Sequence, residues 1–338
     1  MSKETAAWLN TNVLVGYTDK RGNAWHYRAE EQGTESNHYA GPIPVADVRR
    51  RLFNWQPVEA KLSTSYDVID DDGVESVQIT DPDRKVIVRP DTRQVLGVFK
   101  SGYTVHGYDQ WLISNVETIL DADVQIGSAG LLRGGAVGWV QVEMEDTMQA
   151  AGVEFRPFLT ATTSLDGSLA TTYITGGQVV VCDNTLQLAD QNADRRFRVK
   201  HSSKSLGRIT EARDALGLIL TTGQELADEI ERLNRELVTE QRWTDFVAAY
   251  TAPSTDGNAA KTIAVEKATN LNRLWRADPR VTPWAGTAYG VVAAVNTYQH
   301  HQARTTSRWS RADRNADATL HGKWAQVGAD ALQLLATV

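Results

Sequence analysis

The chain has 338 residues, of which 41% are hydrophobic and 23% charged, and its formal net charge is -7. This composition excludes a wholly disordered protein, and the net charge argues against a general coat for nucleic acid. No stretch approaches the roughly 20 apolar residues that cross a bilayer, and the single cysteine excludes an internal disulfide. The polar start, MSKETAAWLNTN, lacks the features of a signal peptide, so we expect an intracellular protein.

The first part of the chain is predicted to be mainly β structure. Residues 1–45 are rich in Gly, Asn and charge and are expected to be irregular. A short helix is predicted in PVADVRRRLFNW, where Val48 and Leu52 share a face. Two β-hairpins should follow, one around DDG at 71–73 and one around DTR at 91–93, because such turn residues between alternating apolar runs favour hairpins.

The middle of the chain continues with one helix and further strands. Apolar residues at 108, 111, 112, 116, 119 and 120 have helical spacing. Two strands are expected around Gly134-Gly135, and about three more between 153 and 186. Turns are predicted within that second group at Asp166-Gly167 and Gly176-Gly177. The segment 65–182 is therefore predicted to be a mostly antiparallel β region that carries a helix.

From about residue 204 onward the sequence has helical periodicity. Leu226, Ile230, Leu233 and Leu237 recur at steps of four, three and four, which predicts a stripe that faces a core. The sequence TAPSTDGNAAK at 251–261 interrupts this pattern and is expected to be a surface loop. Further helical patterns occupy residues 261–275, 284–303, about 303–315 and 319–336.

These elements predict an α+β fold, in which a mostly antiparallel β region with a packed helix is followed by a helical C-terminal region. The expected organisation is an irregular segment at 1–45, a β-rich core at 46–203 and a helical region at 204–338.

Several blocks of the sequence occur in an order that resembles a known family. The blocks are NVLVGYTDKRGNAWH, SLDGSLATTYI, VVVCDNTL, RFRVKHSSKSLGRITEARDALGL and TPWAGTAYGVVAAVNTYQHH. They resemble the phage/plasmid-like family, domain of unknown function 932, from about residue 10 to 335. The resemblance implies a phage, prophage or plasmid origin and the cytoplasm of a bacterial host. Members commonly lie near phage genes of DNA metabolism, which is compatible with recombination or single-strand annealing.

The resemblance implies no mechanism. It covers Asp166, Gly167, Cys182, Asn184 and His201 but carries no catalytic role to any of them.

The first candidate interface is a basic segment between residues 195 and 213. It holds Arg195, Arg196, Arg198, Lys200, Lys204, Arg208 and Arg213 against Glu211 alone, a local charge of +6. Strand alternation would place Arg196, Arg198 and Lys200 on one face, beside the hydroxyls of three serines. Such a cluster is the usual electrostatic signature of phosphate binding, while a solvated edge strand is the structural alternative.

The second candidate interface is the sequence HHQARTTSRWSRADR. Arg304, Arg308, Arg311 and Arg314 would form a continuous arginine stripe if the segment were one helix, with Trp309 beside it to stack on a base. The alternative is a surface helix paired with acidic neighbours. A third, weaker cluster is Arg49, Arg50 and Arg51.

Other chemistry has less support in the sequence. Cys182 ends a β-branched run, where a buried structural cysteine is more common than a nucleophile. Asp70, Asp71 and Asp72 are explained by turn chemistry, and the adjacent His300 and His301 cannot share a helix face. No phosphate loop, HExxH or GxSxG motif occurs, so neither a cofactor nor a metal is expected, and an enzyme is the least favoured class.

We therefore expect a protein that binds nucleic acid, favours single-stranded DNA, forms a homo-oligomer and acts in recombination, replication or annealing. The expected contacts are Arg195, Arg196, Arg198, Lys200, Lys204, Arg208, Arg304, Arg308, Arg311 and Trp309. The alternative is a non-enzymatic interaction factor that binds a host or phage protein through a tryptophan-rich surface and the 211–245 helix.

Overall fold

The computed structural model of the chain describes residues 11–18, 35–70, 73–117, 120, 124–179, 185–186, 196–199, 211–253, 255, 257–305 and 311–338. For residues 70, 178–179, 185–186, 196–199, 211–218, 220, 312–313 and 316 it describes the backbone alone. Within these residues the α+β fold is confirmed: antiparallel sheets are followed by a helical region.

The strands belong to two sheets. They are β1 Val13–Val15, β2 Val58–Asp70, β3 Gly73–Arg89, β4 Gln94–Lys100, β5 Val124–Leu132, β6 Val137–Met144, β7 Met148–Ala150, β8 Val153–Ser164, β9 Thr171–Val179, β10 Thr185–Leu186 and β11 Arg196–Val199. A three-stranded sheet has the order β2-β3-β4, which confirms both predicted hairpins. The central sheet has the order β1-β5-β6-β8-β9-β10, with β11 also on β9 and β7 on β8.

The helices flank the central sheet and fill the C-terminal part. They are α1 Val45–Arg51, α2 Ser114–Glu117, α3 Glu211–Arg235, α4 Glu240–Tyr250, α5 Asn258–Ala277, α6 Ala288–His301, α7 Arg311–Leu320 and α8 Lys323–Leu335. A π-helix, Asp109–Ile113, leads directly into α2, so the helix predicted in the middle of the chain is present. None of the described helices is long and apolar enough to cross a membrane.

One face of the central sheet packs on the π-helix and α2. The register places Leu14, Ala129, Val140 and Ala161 side by side on this face, and all four are buried. Tyr173 continues the row on β9, and its hydroxyl donates a hydrogen bond to the Trp111 carbonyl at 3.2 Å. This apolar layer is the core of the β region. Each large apolar side chain that is fully buried in it stabilises the fold by about 1.5–3 kcal/mol.

The helical region has its own apolar cluster. Leu226, Ile230 and Leu233 of α3 are buried in it, as the periodicity predicts. The indole rings of Trp243 and Trp275 stack at 4.1 Å at its centre. Leu237 is instead 75% exposed, because it lies beyond the end of α3. The predicted surface loop lies between α4 and α5, but it ends before Asn258, where α5 begins, so residues 258–261 are helical.

Two predictions about the β region are wrong. Gly176-Gly177 is not a turn but lies inside β9, paired with Phe158 and Pro157 of β8. A Cβ at Gly177 would lie 2.8 Å from Cδ1 of Leu226, so this glycine gives α3 room to pack on the strand. The segment 1–45 is not irregular throughout, because β1 pairs with β5 and is buried in the central sheet.

Candidate nucleic-acid interface

The first basic segment includes a strand at the border of the central sheet. β11 pairs antiparallel with β9, and Arg198 is the register partner of Thr172. The predicted strand is therefore confirmed for residues 196–199, although the side chains of Arg196 and Arg198 lie outside the described residues. The predicted contacts Arg195, Lys200, Lys204, Arg208, Arg308 and Trp309 lie wholly outside them, as does Cys182. The structure thus places the backbone of this segment without testing its contacts.

A single rung of the sheet connects this strand to the C-terminal helices. The rung runs from Arg198 through Thr172, Thr162 and Trp139 to Gly130. Strands lie about 4.8 Å apart, so about 14 Å separates Arg198 from Trp139 along a flat sheet. Leu320 of α7 packs with Trp139 in one buried cluster. The C-terminal end of α7 therefore lies at the level of Arg198, with β8 and β9 between them, while Arg311 begins the same helix nine positions earlier.

The second basic segment is not one helix. α6 ends at His301 and α7 begins at Arg311, so the predicted continuous helical stripe is wrong. Arg304 lies between the two helices, 63% exposed, and forms an ion pair with Glu266. Arg311 is exposed at the first position of α7. Of the described part of the stripe, Arg311 is thus best placed to meet a phosphate.

Arg314 is directed into the protein. Its guanidinium donates hydrogen bonds to the carbonyls of Gln299 and Ala303 and to Oδ1 of Asn315. Burial lowers the pKa of Arg314, and the positive charge of Arg311 lowers it further. These contacts join α7 to the end of α6, so the role of Arg314 is structural.

The third cluster, Arg49 to Arg51, is neutralised by neighbouring acids. Arg49 donates to Asp109 at 2.8 Å and to Glu117 at 2.7 Å, and these bonds raise its pKa. Arg50 and Arg51 both pair with Glu35. Arg49 and Arg50 line an open groove of about 810 Å³, but it is lined by Asp109 and Glu117 as well. This cluster offers a phosphate little net positive charge.

A charged network anchors α7 on the β region. Arg133, in the turn between β5 and β6, donates to Asp317 of α7 at 2.9 Å and to Asp166 at 3.3 Å. Lys323 donates to Asp317 at 2.8 Å, and His321 lies 3.3 Å from it. Burial raises the pKa of Asp317, but bonds from His321 and Lys323 outweigh it and hold that pKa well below its usual range. The bond to Asp317 raises the pKa of His321.

This network explains part of the SLDGSL block. Asp166 also accepts a hydrogen bond from the backbone of Ser168 at 2.8 Å, which closes the turn before β9. The sequence indicates the turn, but nothing in it indicates that the same carboxylate shares Arg133 with Asp317 of α7, a helix that begins 145 positions later, at Arg311.

The second face of the central sheet carries a buried polar row that the sequence did not reveal. Thr160 donates to Gln141 at 3.1 Å, and Gln141 donates to Glu143 at 3.0 Å. Arg156 lies 3.9 Å from Glu143, and the guanidinium sits 4.5 Å over the ring of Tyr17. Glu143 and Arg156 are 0% and 3% exposed. Strand alternation alone would read these residues as a solvated face.

The tryptophan-rich surface of the alternative function is absent from the described residues. Seven tryptophans lie there, and none is more than 8% exposed: Trp55, Trp111, Trp139, Trp243, Trp275, Trp284 and Trp324. The apolar stripe of α3 also packs inward. Trp8, Trp25 and Trp309 lie outside the described residues, so the alternative function stays a prediction. Among the described residues, no group of three or more His, Cys, Asp or Glu side chains could hold a metal ion.

Comparison with protein families gives a match. Residues 95–321 match DUF932, a domain of unknown function, and this range covers more than half of the chain. The chain therefore belongs to the DUF932 family, as the sequence resemblance predicted. Comparison with curated proteins gives no match, and neither does comparison with solved structures.

Proposed function

We propose that this member of the DUF932 family binds nucleic acid through the phosphate backbone and favours single-stranded DNA. The primary contacts are Arg195, Arg196, Arg198, Lys200, Lys204 and Arg208, and Arg311 extends them. The role would be annealing or strand handling in recombination or replication, without a cofactor.

One observation carries the proposal: the densest cationic segment of an acidic protein includes a strand at the border of its central sheet. An ordered backbone presents phosphate ligands at fixed spacing, which reduces the entropy lost on binding. The pairing of Arg49, Arg50 and Arg304 with acids supports the choice of this segment over the other clusters. A cationic track along the chain is typical of proteins that bind single strands with little sequence preference.

The test is fluorescence anisotropy of a labelled single-stranded oligonucleotide across a salt series, with a duplex of the same sequence as the comparison. We expect a plot of log affinity against log salt concentration to be linear, with a slope of about -0.7 for each phosphate contacted. The Arg196→Ala/Arg198→Ala/Lys200→Ala variant should bind at least tenfold more weakly and reduce the magnitude of the slope by about 2.

A matched control removes the same charge elsewhere. Arg232, Arg235 and Arg276 are 57%, 78% and 69% exposed on α3 and α5, and each pairs with a glutamate. Their triple alanine variant should keep the wild-type slope. Binding that ignores salt, or equal losses in both triple variants, would contradict the assignment of the interface.

A further inference from the structure

The hairpin of β2 and β3 extends beyond the rest of its sheet. β4 pairs with β3 only from Arg84 to Arg89, whereas β2 and β3 remain paired out to Asp70 and Gly73. We call residues 62–83 the β-arm; the structure describes 62–70 and 73–83. Nearly every described residue of the β-arm is exposed or half-buried on both faces. The β-arm thus packs on little apart from itself.

The two faces of the β-arm differ in chemistry. Cross-strand partners share a face, so Tyr66 and Val77 lie beside Val68 and Ile79 on one side, whose own partners are Glu75 and Thr64. Tyr66 is 51% exposed and Ile79 50%. The opposite face carries Ser63, Thr80, Ser65, Gln78, Asp67 and Ser76. At the tip, Ile69 and Val74 are 79% and 67% exposed. Contiguous exposed apolar side chains are uncommon on a monomeric protein, and they usually mark a binding surface.

The charge of the β-arm restricts what can bind there. It holds seven acids and no lysine or arginine: Asp67, Asp70, Asp71, Asp72, Glu75, Asp81 and Asp83. Their charge of -7 equals that of the whole protein, so the remainder of the chain has 35 cationic and 35 acidic residues. Nucleic acid and anionic lipid are repelled by such a surface, and so is the β-arm of another copy. The occupant is therefore a protein surface that combines apolar and cationic side chains.

We propose that the β-arm docks on the body of a second copy of this chain, where the body is the chain outside residues 62–83. The body supplies cationic side chains for this contact, because its 35 Lys and Arg residues equal its acids in number and leave it without the net negative charge of the β-arm. The contact is head-to-tail: each protomer gives its β-arm to one neighbour and receives the β-arm of another. The contact does not depend on nucleic acid, and it names the surface behind the expected homo-oligomer.

The size of the β-arm sets how much else each contact must bury. Nine residues of β2 span about 30 Å, and two strands are about 10 Å wide, so one face presents about 300 Å². A standard interface buries about 800 Å² on each partner. One flat face is too small alone, so each contact must also bury the tip and the edges of the β-arm and part of the surface from which it extends.

The test measures the mass of the nuclease-treated protein by sedimentation velocity between about 1 and 100 μM, a range that resolves micromolar dissociation constants. We expect oligomers whose dissociation constant rises with salt, because complementary charges are screened. The Tyr66→Ser/Ile79→Thr variant should raise the dissociation constant at least tenfold. The matched control, Ser65→Thr/Gln78→Thr, alters the polar face at the rung between those of Tyr66 and Ile79 and should assemble as the wild type does.

A variant with a shortened β-arm gives a second test, which does not depend on correct folding of the substituted hairpin. Residues 63–80 are replaced by Asn-Gly, which closes a two-residue turn and leaves the pairing of β3 with β4 intact. The circular dichroism spectrum should retain the rest of the fold, and the protein should be monomeric. A monomeric wild type, or assembly that survives shortening, would overturn the proposal.

Oligonucleotide binding by the shortened protein separates this proposal from the proposed function. A short oligonucleotide that one protomer covers should bind the shortened and wild-type proteins alike. Loss of binding in the Arg196→Ala/Arg198→Ala/Lys200→Ala variant, with assembly unchanged, would assign the two activities to the two surfaces. Assembly without any oligonucleotide binding would support the β-arm inference and contradict the proposed function.

Discussion

The β-arm and the central sheet are both antiparallel and contain similar residues, but their environments are opposite. Ser, Thr, Val and charged side chains alternate along both. In the central sheet, Glu143, Arg156 and Thr160 are at most 3% exposed, although strand alternation assigns them to a polar face. In the β-arm, Tyr66 and Ile79 are half exposed although they are apolar. Alternation thus indicates which residues share a face, while neighbouring elements decide whether that face is covered.

The largest effect should follow from breaking the buried pair of the central sheet. Arg156→Leu leaves the carboxylate of Glu143 buried without its nearby cation. Removing one member of a buried ion pair typically costs about 3–5 kcal/mol. Urea unfolding followed by tryptophan fluorescence would measure the loss. The Arg156→Leu/Glu143→Leu double variant should be more stable than the single one, and a single variant as stable as wild type would show that the pair is not buried as described.

Acid should destabilise the body of the protein through His300. The ring of His300 stacks on Trp324 at 3.7 Å, and its burial lowers its pKa to about 3. The unfolded chain, with a histidine pKa near 6.5, binds a proton that the fold excludes, so stability falls as the pH falls from about 6.5 toward 3. Between pH 7.5 and 5 this amounts to about 2 kcal/mol. The free energy of unfolding is measured at both pH values for the wild type and for His300→Gln. Between pH 7.5 and 5 the wild type should lose about 2 kcal/mol more than the variant, which has no imidazole to protonate.

A substitution at Gly177 should test how closely α3 covers β9. Gly177→Val places methyl groups where Leu226 and the ring of Phe155 already lie, the latter 3.1 Å from a Cβ. Overpacking of this kind costs about 1–3 kcal/mol. Gly102→Val, with no atom within 4 Å of its Cβ, is the control for the intrinsic effect of valine. Equal melting temperatures for the two variants would contradict the close packing of α3 on β9.

The link between the β region and α7 should contribute less. Arg133→Ala removes the cation that pairs with both Asp317 and Asp166. The side chains of these two acids are 12% and 20% exposed. Partly exposed pairs in a network are worth about 1 kcal/mol. We also expect amide exchange in α7 to accelerate relative to α5, because α7 would lose its anchor on the sheet. Unchanged exchange in α7 would show that Leu320 and its apolar neighbours hold the helix without the network.

The smallest effect on stability should come from the β-arm itself. Tyr66→Ser/Ile79→Thr removes apolar side chains that are already about half exposed, so the unfolding free energy of the monomer should change by less than about 1 kcal/mol. The comparison is made at concentrations below those at which the protein assembles. A loss as large as that of Arg156→Leu would mean that the apolar face of the β-arm is covered within the monomer.

Local features of the sequence predicted the elements well where turn chemistry and periodicity are strong. The DDG and DTR turns lead to the observed hairpins, and the spacing of Leu226, Ile230 and Leu233 corresponds to the buried face of α3. The prediction failed at Gly176-Gly177, because a glycine pair favours a turn locally but here provides space for a helix distant in sequence. The predicted arginine stripe failed because helical spacing continues across a break between α6 and α7.

For the candidate interface, the sequence by itself determined the density of charge: the +6 segment and the -7 β-arm are visible without coordinates. Tertiary structure decided which charges are neutralised, because Arg49 meets Glu117 and Arg133 meets Asp317 only through the fold. It also decided that the polar row at Glu143 is buried and that the β-arm is bare. Charge and periodicity are properties of neighbouring residues, whereas burial and ion pairing depend on which distant segments come together.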